Sequence, residues 1–178
     1  MAKLKILHFP DNRLRQKCPK VEAFDSNLKQ IVDDMFETMY EENGIGLAAI
    51  QVNIIQRIIV IDISKERNEP LILINPEIIN KQNKIEFEEG CLSVPGFYEK
   101  VERYNNITFK AQLTNGDTYN RDVEGLLSVC VQHEIDHLDG KLFVDYISSL
   151  KRERIAKKIQ KLQAEGKKFE RKNIPYSI

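Results

Sequence analysis

The sequence predicts an α+β fold. Antiparallel or mixed sheets pack around a central helix, with an amphipathic helix near the N-terminus and another helix near the C-terminus. Three observations carry this expectation. Leu28, Ile31, Val32, Met35, Phe36, Met39 and Tyr40 recur at i, i+3, i+4 spacing, the stripe of a helix with one buried face. Between residues 57 and 123, short runs rich in β-branched and aromatic residues are punctuated by turn residues, as in strands. From Leu126 to Leu138 the chain holds no glycine or proline, and Gly140 is placed to stop a helix.

Taken in order, Leu4 to Leu14 is a short apolar run followed by Pro10-Asp11-Asn12, a turn that starts a brief helix through Gln16. His8 has no partner at ligand spacing and reads as structural or solvated. Asp25 or Ser26 caps the amphipathic helix, and Asn43-Gly44 ends it. Gly44-Ile45-Gly46-Leu47-Ala48-Ala49-Ile50-Gln51 follows, its glycines allowing a close backbone approach. Gln51, polar at the end of an apolar stretch, needs a partner. Arg57 to Ile63 is a buried strand, and Leu71 to Ile74 is another, broken at Asn75-Pro76. Ile78-Ile79 and Ile85 to Glu89 continue the β region. Cys91 then sits between Gly90 and the Pro95-Gly96 turn, at a strand end, where chemistry is often placed. Val101 to Tyr104, Ile107 to Leu113 and Thr118 to Val123 read as antiparallel strands, with Asn115-Gly116 turning the last hairpin. Phe143 to Ile147 leads into a C-terminal helix at 148–165 whose apolar face is Ile147, Leu150, Ile155, Ile159 and Leu162. Residues 1–166 are expected to form one metallohydrolase domain, and 167–178 a disordered tail.

Composition narrows the class. At 178 residues, 42% hydrophobic and 30% charged, the chain suits one globular domain. A net charge of zero disfavours DNA and other nucleic-acid binding through the whole molecular surface. No apolar run approaches the roughly 20 residues of a membrane span, and the charged first 15 residues lack the apolar middle of a secretory signal. A cytoplasmic monomer is the expectation. Cys18, Cys91 and Cys130 are odd in number and widely spaced, which disfavours a disulfide framework.

Gln132-His133-Glu134-Ile135-Asp136-His137 is an H-E-x-x-H sequence. On a helix, His133 and His137 lie one turn apart on one face and can hold one metal ion. Glu134 lies about 100° round, at the edge of that face, within reach of a water at the metal. Such a centre needs a third protein ligand and an open position. The longer pattern H-E-x-x-H-x-x-G-x-x-H matches through Gly140 but fails at Phe143, which cannot ligate. Glu153 and Glu165 lie in a basic helix. Cys130 sits about 4.5 Å further back along the helix than His133 with its Cβ pointing away from the ion, so it reads as core or pocket wall, and Cys18 as core. Cys91, on another element beside glycine, is the remaining donor. The expected set is Cys91, His133 and His137, with water fourth.

Gly44 to Gln51, Glu89-Gly90-Cys91-Leu92-Ser93 and Gln132 to Leu138, in this order and spacing, resemble the peptide deformylases of the bacterial type. Phe9-Pro10-Asp11, Leu14-Arg15 and the C-terminal helix extend the likeness to nearly the whole chain. The resemblance implies hydrolysis of the formyl group from the formyl-methionine of nascent polypeptides. It implies a ferrous ion, Fe2+, replaceable by Ni2+, Co2+ or Zn2+, although affinity alone favours zinc. It implies Glu134 as the base that takes a proton from water and returns it to the leaving amine. The Gln51 amide and the Leu92 N–H become donors to the developing oxyanion. Ile45, Phe87, Leu126, Val129 and Cys130 become walls for the methionine side chain. Gly44, Gly46 and Gly90 leave exposed backbone along which an extended peptide can pair. Asp136 either orients a ligand or pairs with Arg103.

Two other readings share the motif. A zinc endopeptidase would need a downstream ligand that the chain does not offer, and a structural metal would need a fourth protein ligand. The C-terminal helix carries Lys151, Arg152, Arg154, Lys157, Lys158 and Lys161. It reads either as a solvated face or as a contact to ribosomal RNA.

Overall fold

In the computed structural model, residues 3–167 and Phe169 are described. The element order is α1 (Ser26–Glu41), β1 (Gly46–Ala48), β2 (Ile58–Ile61), β3 (Leu71–Glu89), β4 (Glu99–Gln112), β5 (Thr118–Glu124), α2 (Gly125–Leu138) and α3 (Ser149–Ala164), with short 3-10 turns at Asn12–Arg15, Ala49–Val52 and Phe143–Asp145. The strands form a five-stranded sheet in sequence order, antiparallel at every pairing. The mixed-sheet alternative is therefore not what the described residues form.

The sheet's first strands are covered on both faces, which explains their unbroken apolar sequences. Ile59 and Ile61 of β2 pack with Val129, Cys130, Val131 and Ile135 of α2. Ile58 and Val60, pointing the other way, pack with Leu28, Val32, Met35 and Met39 of α1. The Asp25 carboxylate caps α1 by accepting from the Leu28 N–H at 3.0 Å. A third cluster joins Leu7, Phe9 and Leu14 of the N-terminal segment to Cys91, Val94, Phe143 and the α3 residues Ile155 and Ile159. No described helix is long and apolar enough to cross a membrane.

Three expectations need correction. The strand from Leu71 does not end at Asn75-Pro76 but continues to Glu89. Asn75 takes φ 52, the register shifts there, and its side chain bonds the backbone of Val21 at 2.8 and 2.9 Å and Gln112 at 2.8 Å. The proline thus sits in a bulge, where a missing N–H is tolerated. The two segments at 101–113 are one strand, β4. Leu150 is 57% exposed. It lies five residues from Ile155, about 140° away around the helix, off the buried stripe. The expectation for 167–178 falls, apart from Lys167 and Phe169, outside the described residues.

Gly140 closes α2 at φ 74, and a Cβ there would run into the Arg15 carbonyl oxygen. Gly125 has φ 60 with open space around it. Gly140→Ala is expected to lose more than about 1 kcal/mol of stability, and more than Gly125→Ala, in urea titrations of both variants.

Candidate metal centre

Strand β3 ends at Glu89, and the chain turns so that Cys91 faces helix α2. One ligand atom each of Cys91, His133 and His137 lies within 4.8 Å of the other two. The Cys91 Sγ is 3.3 Å from the His137 Nε2, which is 3.1 Å from the His133 Nε2. Around an ion with metal–sulfur and metal–nitrogen bonds of about 2.3 and 2.0–2.1 Å, tetrahedral donors stand roughly 3.4–3.6 Å apart. The two distances to the His137 Nε2 come within a few tenths of an ångström of that spacing, and all three donors are buried.

The helix supplies the histidine spacing, but a carboxylate fixes the first ring. The His133 Nδ1 is 2.8 Å from the Glu89 Oε2, so its proton is donated outward to that carboxylate and, in the neutral ring, Nε2 is left with a lone pair facing the cluster. Glu89 is in turn clamped by Arg103, whose Nε and Nη2 donate at 2.5 and 3.0 Å. The remaining Arg103 nitrogen, Nη1, donates to Asp136 at 2.6 Å. Asp136 also accepts from the Tyr146 hydroxyl at 2.8 Å. Of the two roles expected for Asp136, the pairing with Arg103 is the one seen.

These charges set the titration of the cluster. Burial disfavours the charged form of both imidazoles. At His133 the Cys91 thiol and Glu89 outweigh burial and push the pKa well up. At His137 burial and the charge of His133 act together and drive it well down. Glu134 is pushed up to about 7, mainly by burial and further by Glu89, against His133, the Ala48 N–H and Arg103. Its Oε2 has no hydrogen-bond partner among the described residues.

The remaining expected site residues fall into two groups. Gln51 is buried against the cluster: its Nε2 is 3.6 Å from the Cys91 Sγ and 3.2 Å from the Ser93 Oγ. Ile45, Val129 and Cys130 are buried in one apolar cluster, with Phe87 and Leu126 half-buried against it. Leu92 packs instead on the α1 side, against Met39 and its neighbours. Gly44, Gly46 and Gly90 are buried, not exposed as expected. A Cβ on Gly44 would meet Leu92, and one on Gly46 would lie 2.5 Å from the Glu134 Oε1 and 2.8 Å from the Cys130 Sγ. The close approach at Gly46 is therefore made by side chains rather than by another backbone. Cys130 lies outside the three-donor group, with its Sγ 3.9 Å from the Ile45 carbonyl oxygen.

The model of the polypeptide deformylase family matches residues 3–153. The chain belongs to that family. It is 55% identical over 162 residues to a peptide deformylase of Hahella chejuensis, covering 90% of this chain and 96% of that one. It is 56% identical over 161 residues to one of Pseudoalteromonas translucida, at 90% and 96% coverage. Among solved structures, a peptide deformylase from Legionella pneumophila superposes with a TM-score of 0.87 at 48% identity, over 92% of this chain and 98% of that one. One from Ehrlichia chaffeensis, in complex with actinonin, gives a TM-score of 0.87 at 39% identity, covering 90% and 98%.

Within this deformylase framework, sequence reasoning gave Glu89, Ser93 and the clamp on Arg103 no role. One signal for Glu89 was available. A glutamate two residues before the candidate cysteine, at the end of the strand that leads to it, is delivered close to the same place. Folding lowers the Glu89 pKa from 4.5 to about 2: burial raises it, but the hydrogen bonds from His133 and Arg103 overcome that. A depressed carboxylate stabilises the fold above its unfolded pKa and loses that contribution as pH falls through the folded value. Urea titrations should therefore show stability falling between pH 4.5 and about 2. Glu89→Gln should be less stable at neutral pH and show a shallower fall. An unchanged slope would remove Glu89 from this role.

Proposed function

We propose that this chain hydrolyses the formyl group from the N-terminal formyl-methionine of nascent polypeptides in the cytoplasm, releasing formate. The observation that carries the reading is the convergence of Cys91, His133 and His137 beside a buried Glu134, in a chain of the polypeptide deformylase family. Those three residues would hold one divalent cation, with ferrous iron the native one and nickel, cobalt or zinc as substitutes. When bound, the cation supplies Lewis acidity and makes water a nucleophile at neutral pH.

The side chains do the rest. Glu134, pushed up to about 7, is matched to a proton that must first be taken from water and then given to the leaving amine. Gln51 offers an amide N–H beside the Cys91 sulfur, and with the Leu92 N–H it meets the negative charge that develops on the formyl oxygen. Ile45, Phe87, Leu126, Val129 and Cys130 receive the methionine side chain. Strand β1 is an edge strand, paired among the described residues only with β2, and its free edge meets the peptide main chain. Main-chain pairing reads little of the sequence beyond the first residue. The enzyme works as a monomer.

Helix α3 supports a second contact. Ile155 and Ile159 anchor it to the body, while Lys151, Arg154, Lys157, Lys158 and Lys161 are exposed. This face docks the enzyme on ribosomal RNA near the emerging chain.

Formyl-Met peptides should release formate, whereas unformylated peptides should not be cleaved, which separates this activity from an endopeptidase. Glu134→Gln should keep its metal and lose turnover by about 10²–10⁴-fold. Cys91→Ser should instead lose metal, and unchanged metal content in that variant would overturn the ligand set. For the ribosome, Arg154→Glu, Lys157→Glu and Lys161→Glu together should weaken co-sedimentation at low salt and leave the hydrolysis of short formyl peptides intact. Equal sedimentation of variant and wild type at every salt concentration would refute the docking face.

A further inference from the structure

The buried Gln51 amide has two possible faces, and its surroundings admit one. Its Oε1 accepts from the Ala48 N–H at 2.8 Å, so turning the amide over would set two donors against each other. The Nε2 then faces the opposite way, 3.2 Å from the Ser93 Oγ and 3.6 Å from the Cys91 Sγ. An amide nitrogen carries two protons. The Ser93 hydroxyl accepts one, which aims the other along the sulfur.

The backbone on both sides is already tied. The Leu7 N–H donates to the Gln51 carbonyl at 2.7 Å, and the Phe9 N–H to the Ser93 carbonyl at 2.8 Å. The N-terminal segment thus pins the two backbones to each other. The Ser93 N–H donates separately to the Cys91 Sγ at 3.3 Å. The hydroxyl makes none of these backbone bonds. Ser93 is fully buried, and the hydrogen bond its hydroxyl accepts from Gln51 is the one it makes among the described residues.

We propose that Ser93 is a positioning residue: the Ala48 N–H decides which way the Gln51 amide faces, and the Ser93 hydroxyl holds its nitrogen in place, so that the second N–H stays on the Cys91 sulfur at the edge of the Cys91–His133–His137 cluster. This rests on the reading of Gln51 as an oxyanion donor. It separates two jobs within one residue: the Ser93 backbone N–H serves the sulfur, and its side chain serves the amide. A space-filling serine would have no effect on Gln51.

Ser93→Ala removes the acceptor and leaves every backbone bond in place. The test uses zinc-loaded protein labelled with nitrogen-15. In the wild type the Gln51 side-chain amide protons should exchange slowly with solvent. In Ser93→Ala they should exchange at least about tenfold faster, with metal content and circular dichroism unchanged. Formate release from a formyl-Met peptide should lose about 10-fold or more in kcat, the scale at which groups behind a metal site act, with little change in KM. Introduced into Gln51→Ala, the same substitution should cost nothing further, because the effect runs through Gln51. Should Ser93→Ala not fold, Ser93→Cys, close in volume and a weak acceptor, carries the same expectations. Unchanged amide exchange, or an equal loss of kcat with and without Gln51, overturns the proposal. A wild type that releases no formate would instead overturn the proposed reaction, while the exchange measurement would still decide the role of Ser93.

Discussion

A thiol, two imidazoles and two carboxylates share one buried region here, and the contact that makes this tolerable is Glu89 with Arg103 and His133. Each of these groups taken alone from water would favour its neutral form. Glu89 is fully buried yet stays ionised, because the Arg103 fork meets both its oxygens and the His133 ring meets one of them again. A bidentate guanidinium adds geometry to charge. It fixes the plane of the carboxylate, which fixes the His133 ring, which decides where Nε2 points. Asp136 and Tyr146 then hold the far side of Arg103, so the chain of contacts runs from a half-exposed phenol to the donor cluster. Removing one member leaves a buried charge unanswered, which is costlier than never having the pair.

The topology delivers these groups from separated stretches without a long structureless loop. Residues 44–51 lie on the edge of the sheet, residues 89–93 follow the end of β3, and residues 132–138 lie in α2. Helix α2 packs on the sheet face made by Ile59, Ile61, Leu73, Ile107 and Phe109, which brings its histidines beneath the end of β3. The N-terminal segment adds the last tie, bonding Gln51 and Ser93 through Leu7 and Phe9. Helix α2 and the end of β3 therefore set most of the spacing, with Cys91 carried on the turn that follows the strand.

What could be read from the sequence follows from range. The α1 stripe is a local pattern, and so is the i, i+4 spacing of the two histidines, because a helix fixes both within a few residues. Leu150 misled because a list of apolar residues ignores the angle each occupies. Asn75-Pro76 misled because those residues mark a turn in most settings, whereas the Val21 backbone and Gln112 here hold the asparagine in a bulge within a strand. Arg103 was visible only as a partner for Asp136. Its grip on Glu89 depends on the register between β3 and β4, which pairs Ile85 with Arg103 and Glu89 with Glu99. Register of that kind is set by the whole hairpin and leaves no mark near either residue. Gln51 announced that it needed a partner, and the partners proved to be a backbone N–H three residues back and two side chains about forty residues on.

Gly46 shows why a glycine can matter without any special backbone angle. Its φ is not among the positive ones, so conformational freedom is not the reason for it. The space above its Cα is occupied by the Glu134 carboxylate and the Cys130 sulfur. A methyl group there would have to displace one or both. Moving the sulfur would reshape the apolar wall formed with Ile45 and Val129. Moving the carboxylate would either expose it, lowering its pKa from about 7, or turn it from the donor cluster. The small residue on the sheet edge and the raised acidity on the helix are thus one arrangement. The strand gives up a side chain so that the carboxylate can lie dry against it, one oxygen still lacking a partner among the described residues. A buried oxygen in that state has an affinity for a proton that an exposed glutamate lacks, which suits the proton transfers proposed for Glu134.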